Sequence, residues 1–186
     1  MSHKQPAHWK VLSEQLYADC RIYRVFEQKC IHPHDERQGK FYVIRCNDWV
    51  QILPLTKEGE IILVNQYRFG TGQLSWEVPG GVMDDSDTSP EETAARELLE
   101  ETGYLGKPGR IIGCNFPNPA LQANKTHFVL IEGCEKVTEQ SLDPNEELEV
   151  CTLPIQTAIA MAHDGRISHS IAINSIFYLE NYLRQR

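Results

Sequence analysis

The chain has 186 residues and a net charge of −8, and its six cysteines are scattered. This length suits one domain with at most a small extension. The acidic balance argues against a nucleic-acid partner, which would require a basic patch, but a bound cation would still permit a phosphorylated small substrate. The sequence shows no membrane-length apolar run, no leader and no disulfide-like cysteine framework, so we expect a cytoplasmic protein without a membrane partner.

Strand patterns dominate the first part of the chain. Residues 17–31 and 40–53 are rich in β-branched and aromatic residues with partial alternation, and a polar turn separates them. That turn contains His32 and His34, which we expect to be solvated rather than to form a metal site. A short buried strand is predicted over residues 60–66.

A helix with defined ends is predicted next. Ser89 suits the N-cap, Pro90 suits the first helical position, and Glu92 follows the serine by three residues, as a capping box requires. Gly103 can adopt the left-handed conformation that ends a helix. The boundaries of this helix are therefore predicted by local residue chemistry alone.

Three acids share one face of this helix. Glu97, Glu100 and Glu101 lie three and four residues apart, while Leu98 and Leu99 can turn toward a core. Like charges at this spacing destabilise an isolated helix, so something must neutralise them. Mg²⁺ or Mn²⁺, which takes carboxylates, waters and substrate phosphates, is the natural candidate. A solvated acidic surface is the alternative.

The rest of the chain is predicted to contain both strands and helices. We expect strands near 109–115 and 126–132, an acidic loop at 141–149, and helices near 154–164 and 170–184. The apolar positions of the last helix are Ile173, Ile176, Phe177 and Leu183. Together these elements predict an α/β fold with a mixed sheet between helices.

The segment from Gly81 to Tyr104 resembles the signature of the Nudix hydrolases. That signature is a glycine, five residues, Glu, seven residues, then Arg-Glu-U-x-Glu-Glu-x-Gly-U, where U is a bulky apolar residue. The second half matches without a break, but Asp87 replaces the first Glu and eight residues then precede Arg96, with which Asp87 could still pair. The resemblance implies a Nudix α/β/α sandwich, with an N-terminal β-rich extension over 1–46 and the Nudix hydrolase domain over 47–186.

Two further runs resemble the Nudix branch that acts on ADP-ribose and nucleoside diphosphate sugars. They are Gln66-Tyr67-Arg68 and the run Trp76-Glu77-Val78-Pro79-Gly80-Gly81. The resemblance implies that Arg68 binds phosphate or ribose oxygens, the alternative being a surface salt bridge. Glu77 would bind metal or substrate, or would instead hold its loop. The backbone carbonyl of Gly80 would be a metal ligand, since a small residue lets the backbone approach an ion.

A third run resembles an NPA…N-(K/R)-x-H stretch found in bacterial proteins near that branch. It comprises Asn118-Pro119-Ala120 and Asn124-Lys125-Thr126-His127. The resemblance implies that Asn118 and Lys125 bind phosphate or sugar oxygens of the substrate. The alternative is a simple turn followed by a strand that contains His127.

The segment 142–150 resembles the loop that carries the catalytic carboxylate in ADP-ribose pyrophosphatases, where a Glu lies four residues before a valine. This register selects Glu146 as the general base, with Glu147 as the runner-up, and an acidic solvent loop is the alternative. The resemblance implies that Glu100 and Arg96 complete the catalytic set. The implied ligands of Mg²⁺ (or Mn²⁺) are Gly80, Glu97, Glu100 and Glu101.

The resemblance therefore implies Mg²⁺-dependent hydrolysis of the pyrophosphate bond of nucleoside diphosphate sugars to a nucleoside monophosphate and a sugar phosphate. One alternative is a Nudix hydrolase of nucleoside triphosphates, dinucleoside polyphosphates or capped RNA, which the flanking runs disfavour. Another is a module that binds ADP-ribose-type ligands without turnover, which the retained acids disfavour. Because the N-terminal strands of the resembled branch pack across a two-fold axis, we also expect a homodimer.

Overall fold

The computed structural model describes residues 5–185, which form two compact units. The first contains the residues up to Asn47 together with Phe116–Asn124. The second contains Asp48–Asn115 and the residues from Lys125 onward. The domain boundaries expected from the sequence stay a prediction. The grouping of Phe116–Asn124 with the N-terminal strands is a non-local association that the sequence analysis did not foresee.

A three-stranded antiparallel sheet forms most of the first unit. Its strands are β1 (Lys10–Asp19), β2 (Arg24–Ile31) and β3 (Gln38–Arg45). The strand-rich segment expected over 17–31 therefore contains a turn, where Arg21 has a φ of 65°. The backbone of Ile44 accepts a hydrogen bond from Ala123 and donates one to Leu121, which joins the segment 116–124 to this sheet.

The second unit is built on a mixed sheet. Its strands are β4 (Trp49–Thr56), β5 (Glu60–Arg68), β6 (Gln73–Glu77), β7 (Gly80–Val82), β8 (Tyr104–Leu105), β9 (Arg110–Asn115), β10 (Thr126–Lys136) and β11 (Leu148–Pro154). The order along the sheet is β11-β5-β4-β10-β8, with β6 beside β5, β7 beside β4 and β9 beside β10. Strands β4 and β10 are parallel, whereas the neighbouring pairs are antiparallel.

The predicted strands of this unit are confirmed in position. Residues 60–66 lie in β5, 109–115 are covered by β9 from Arg110, and 126–132 lie in the longer β10. The loop expected over 141–149 was wrong at its end, because β11 begins at Leu148 and pairs with β5. The partner strand β5 lies far from β11 in the sequence. The strand conformation of β11 therefore depends on a non-local pairing that its own residues do not indicate.

Three helices cover the two faces of this sheet. They are α1 (Pro90–Thr102), α2 (Ile155–His163) and α3 (Ser170–Arg184). Because side chains alternate along a strand, β4 supplies both cores: Ile52 packs in the cluster that contains Leu98 of α1, and Leu53 packs in the cluster that contains Ile176 of α3. This arrangement is the α/β/α layering expected from the sequence. No helix among residues 5–185 is long and apolar enough to cross a membrane.

The predicted caps of α1 are confirmed. The hydroxyl of Ser89 accepts a hydrogen bond from the Glu92 N–H at 3.2 Å, and Gly103 ends the helix with a φ of 74°. The carboxylate of Glu92 bonds to Thr88 instead of returning to the Ser89 N–H, so the capping box is displaced by one residue at its acidic end.

The face of α3 that meets the core differs from the prediction. Ile176 is buried as expected, but Ile173 and Phe177 are 37% and 62% exposed. The buried residues of this helix are Ile171, Ala172, Ser175, Ile176 and Leu179. The small residues Ala172 and Ser175 let the helix approach the sheet closely, and the Ser175 hydroxyl is satisfied by the Ile171 carbonyl at 3.0 Å.

Candidate active site

Arg96 lies at the centre of the acidic face of α1. Its Nη1 donates hydrogen bonds to Glu97 at 2.9 Å and to Glu100 at 3.0 Å, and its Nη2 bonds Asp87 at 3.0 Å. Asp84 adds a longer ion pair at 3.6 Å. One guanidinium therefore compensates part of the repulsion that the sequence pattern implies, and it ties the helix to the loop before it.

Asp87 pairs with Arg96, as its position in the sequence allowed, despite the extra loop residue. The hydrogen bond from Arg96 lowers the pKa of Asp87 to about 2, helped by the backbone N–H of Asp84 and the hydroxyl of Thr93. Its carboxylate is thus ionised near neutral pH and joins the loop to α1. The shorter acid reaches Arg96 because the loop folds back toward the helix, with the Asp87 N–H bonded to the Asp84 carbonyl.

Glu101 is the most enclosed of the three helix acids, with 6% of its surface exposed. Its Oε2 accepts a hydrogen bond from the Gly80 N–H at 3.0 Å. Burial raises the pKa of Glu101 to about 8; the Gly80 bond opposes this shift, while the charges of Glu97 and Glu146 add to it. Burial also raises the pKa of Glu97, against the influence of Arg96. Ionisation of both Glu97 and Glu101 is therefore disfavoured on the buried side of the site.

The glycines of β7 allow a very close approach between this strand and its neighbours. A Cβ on Gly80 would lie 2.3 Å from the Val50 carbonyl oxygen, and one on Gly81 would lie 2.2 Å from a Glu97 carboxylate oxygen. A side chain at either position would displace backbone or an acid of the site. The glycine at 80 is thus required by strand packing, in addition to any approach by an ion.

An acidic cleft of about 630 Å³ opens between α1, β7 and the loop before β11. Its wall contains Glu97, Glu100, Glu101 and Glu146, with Arg96 and Arg68 as its cations. The structure therefore brings together most of the side chains that the sequence predicted for the site. Glu146 faces this cleft, whereas Glu147 lines only the neighbouring cavity among the cavities described here, which favours Glu146 as the acid near the other three.

A second cavity, the hairpin pocket, adjoins the acidic cleft. It measures about 870 Å³, lies beside the β5–β6 hairpin, and shares Gln66, Arg68 and Glu146 with the cleft. Tyr67 and Phe69 lie on its hairpin side with their ring centroids 5.2 Å apart. Arg68 thus borders both an acidic cavity and a cavity with two aromatic side chains in its wall.

Glu77 is fully buried and engaged by two side chains. Arg68 grips both oxygens, at 2.8 and 2.6 Å, and Nδ1 of His169 lies 2.6 Å from Oε2. Burial alone would raise the pKa of Glu77, but the bonds from Arg68 and His169 outweigh it and lower the pKa to about 2. In this geometry Glu77 holds Arg68 in place, and the sequence analysis missed His169 because 92 residues separate it from Glu77.

Asn118 and Lys125 belong to different units of the structure. Asn118 belongs to the first unit, where its carbonyl accepts hydrogen bonds from the N–H groups of Leu121 and Gln122 and so forms a turn. Lys125 belongs to the second unit, its backbone bonded to Asp48 and Trp49, and it is not among the residues that line the acidic cleft. Their substrate-binding roles stay predictions.

Comparisons with known proteins identify the family and the fold. Residues 48–172 match the family model described as a NUDIX domain. An ADP-ribose pyrophosphatase of Bacillus subtilis is 31% identical over 145 residues, which are 77% of this chain and 78% of that protein. A GDP-mannose pyrophosphatase of Yersinia enterocolitica is 34% identical over 131 residues, 66% of this chain and 67% of its own. A solved structure described as an ADP compounds hydrolase has a TM-score of 0.85 at 19% identity, covering 98% of this chain and 97% of its own, and confirms the fold.

The raised pKa of Glu101 predicts an unusual pH dependence of stability. Between the unfolded pKa of 4.5 and the folded value of about 8, the native state holds a proton that the unfolded chain has released. The free energy of unfolding should therefore fall as pH rises, by about 2 to 3 kcal/mol between pH 6 and pH 8. Glu101→Gln should lack this contribution. Urea denaturation of both proteins with a chelator present measures it, and parallel pH curves would contradict the assignment.

Proposed function

The chain belongs to the Nudix family, and on this premise we propose that it hydrolyses the pyrophosphate bond of nucleoside diphosphate sugars, ADP-ribose included, to a nucleoside monophosphate and a sugar phosphate. The observation that carries the proposal is the convergence of Glu97, Glu101 and Glu146 with Arg68 on one cleft. The three carboxylates can bind a metal ion, and the guanidinium of Arg68 can bind a phosphate group. The names of the ADP-ribose and GDP-mannose pyrophosphatases among its relatives support the substrate class.

We assign Mg²⁺, with Mn²⁺ as a substitute, to Glu97, Glu101 and the Gly80 carbonyl, with Glu100 assisting. No three His, Cys, Asp or Glu side chains among residues 5–185 form a complete metal cage as they stand. Mg²⁺ sites need only one or two carboxylates, the remaining ligands being waters and substrate phosphates. Glu101, whose pKa is raised by burial and by the neighbouring charges of Glu97 and Glu146, suits such an ion.

When bound, the ion would neutralise charge on the diphosphate and lower the pKa of a water molecule. Side chains of the protein accept the proton, bind the phosphate and position the acids. Glu146 accepts the proton of the attacking water as general base. Arg68 binds a phosphate oxygen through the edge of its guanidinium that Glu77 leaves open. Arg96 acts through Glu97 and Glu100, whose carboxylates it fixes.

The hairpin pocket can bind the part of the substrate that is attached to the diphosphate. It shares Arg68 and Glu146 with the acidic cleft, so a group attached to a diphosphate in the cleft can extend directly into it. Its volume of about 870 Å³ falls in the range of ligand pockets. We keep Asn118 and Lys125 as proposed substrate-binding residues.

A substrate panel tests the proposed reaction. The purified protein would be incubated with Mg²⁺ and ADP-ribose, ADP-glucose, GDP-mannose, UDP-glucose, NADH, diadenosine polyphosphates or nucleoside triphosphates, and the products separated by chromatography. We expect nucleoside monophosphate mainly from the diphosphate sugars, and a loss of at least about 100-fold in Glu101→Gln. Preferred cleavage of triphosphates would favour the other hydrolase, and binding without turnover by the folded protein would favour a ligand-binding module.

Neighbouring acids provide a matched test of the general base. Glu146→Gln should lower kcat by about 100- to 10⁴-fold, because the carboxylate in the cleft can no longer accept a proton. Glu147→Gln removes the same charge from the same loop but should leave kcat close to that of the unsubstituted enzyme. Steady-state rates across pH would measure both variants. The opposite pattern would assign the base to Glu147.

We also propose that the first unit mediates a homodimer. Strand β1 is exposed along nearly its whole length and presents large apolar side chains, among them Leu12, Leu16 and Tyr17. Exposed apolar residues in such density favour contact with another protein surface, and an open strand edge favours pairing. The cytoplasmic location stays a prediction.

Sedimentation velocity would measure this assembly. We expect a species of twice the chain mass, and Leu16→Glu should convert it to a monomer because it places a charge in the apolar contact. Val137→Glu is a suitable control, since Val137 is similarly exposed but lies in the second unit. A monomer in the unsubstituted protein at micromolar concentration would contradict the proposal.

A further inference from the structure

Arg68 occupies the boundary between three cavities. Its side chain lines the acidic cleft, the hairpin pocket and a smaller cavity of about 230 Å³ beside β7. It donates from Nε and Nη2 to Glu77. Within residues 5–185 its other terminal nitrogen, Nη1, makes no hydrogen bond, so one edge of the guanidinium is available for a ligand. The orientation of that edge is set by whatever fixes the Glu77 carboxylate.

Glu77 is fixed by a second donor. The carboxylate of Glu77 is 0% exposed and its pKa is lowered to about 2, so it is ionised and can only accept hydrogen bonds. Nδ1 of His169, which lies 2.6 Å from Oε2, must therefore carry a proton. Because Oε2 accepts from both Arg68 and His169, rotation of the carboxylate would break bonds to two side chains at once.

His169 is poorly explained by a role in its own helix. It stands at the N-cap of α3, but its side chain makes no capping hydrogen bond to that helix. The ring instead contacts Glu77 and lines both the hairpin pocket and the smaller cavity, with 31% of the side chain exposed. Because the His169 side chain does not cap α3 and lies at the start of a helix, it can fix the orientation of the Glu77 carboxylate.

We propose that His169 is a positioning residue for substrate binding. Through Glu77 it holds the guanidinium of Arg68 at the passage between the acidic cleft and the hairpin pocket, so that Nη1 meets a phosphate oxygen without first having to be ordered. This inference rests on the proposed function for the identity of the substrate. The His169–Glu77–Arg68 chain itself exists independently of turnover and can be tested by binding alone.

The test is a double-substitution cycle with conservative variants. His169→Leu and His169→Ala remove the donor, whereas the amide nitrogen of His169→Asn can take the place of Nδ1. We expect the first two to raise the Kd for inorganic pyrophosphate with Mg²⁺, measured by calorimetry, by about 10-fold, and Asn to restore most of the affinity. In an Arg68→Ala background the same substitutions should change the Kd little, because the group they position is gone.

Steady-state kinetics of the His169 variants with the best substrate of the panel provide a second test of the positioning role. The KM should rise with the Kd while kcat changes little, because Arg68 holds substrate and transition state alike. His163→Ala serves as control, since His163 is an exposed helix residue that pairs with Glu180. If His169→Ala fails to fold, His169→Leu, which keeps side-chain volume, carries the test.

The outcomes separate this inference from the proposed function. Additive effects of the His169 and Arg68 substitutions, or an unchanged Kd in His169→Leu, would overturn the positioning role even in an active enzyme. A coupled effect on pyrophosphate binding in a protein without diphosphate-sugar turnover would support the positioning role and reject the proposed reaction.

Discussion

Electrostatic repulsion on one helix is the constraint around which the site is arranged. Glu97, Glu100 and Glu101 lie within about one turn of α1, and Asp87 approaches the same place from the preceding loop. Arg96 bonds to Asp87, Glu97 and Glu100, whereas within residues 5–185 the buried Glu101 forms no ion pair. The ionisation of Asp87 follows from its bond to Arg96, whereas the pKa of Glu101 is raised mainly by burial, to which the charges of Glu97 and Glu146 add.

The two arginines of the cleft differ in the number of acids that they bind. Arg96 bonds to several acids, so its charge is engaged within the protein. Arg68 is anchored to a single buried acid, Glu77, and keeps one edge open. A cleft that is acidic on one side and presents one available guanidinium edge on the other suits a ligand that is a polyanion accompanied by a cation, which is how diphosphates occur with Mg²⁺.

Local chemistry made part of this site predictable from sequence. The caps of α1 and the spacing of its acids depend on residues three or four apart, and the pairing of Asp87 with Arg96 could be anticipated from the same segment. His169 could not, because it meets Glu77 only through the packing of α3 on the sheet. Strand β11 likewise depends on a distant partner, and helical periodicity could not reveal that Phe177 would point to solvent.

The parallel pairing of β4 with β10 has a consequence for how the chain folds during its synthesis. Asp48 at the start of β4 bonds to Lys125, which is 77 residues later, and α1 lies between them in the sequence. The central sheet therefore cannot close until β10 has left the ribosome, and Leu98 has no complete core to enter before then. We therefore expect the apolar side of α1 to stay exposed in the nascent chain until β10 has been synthesised.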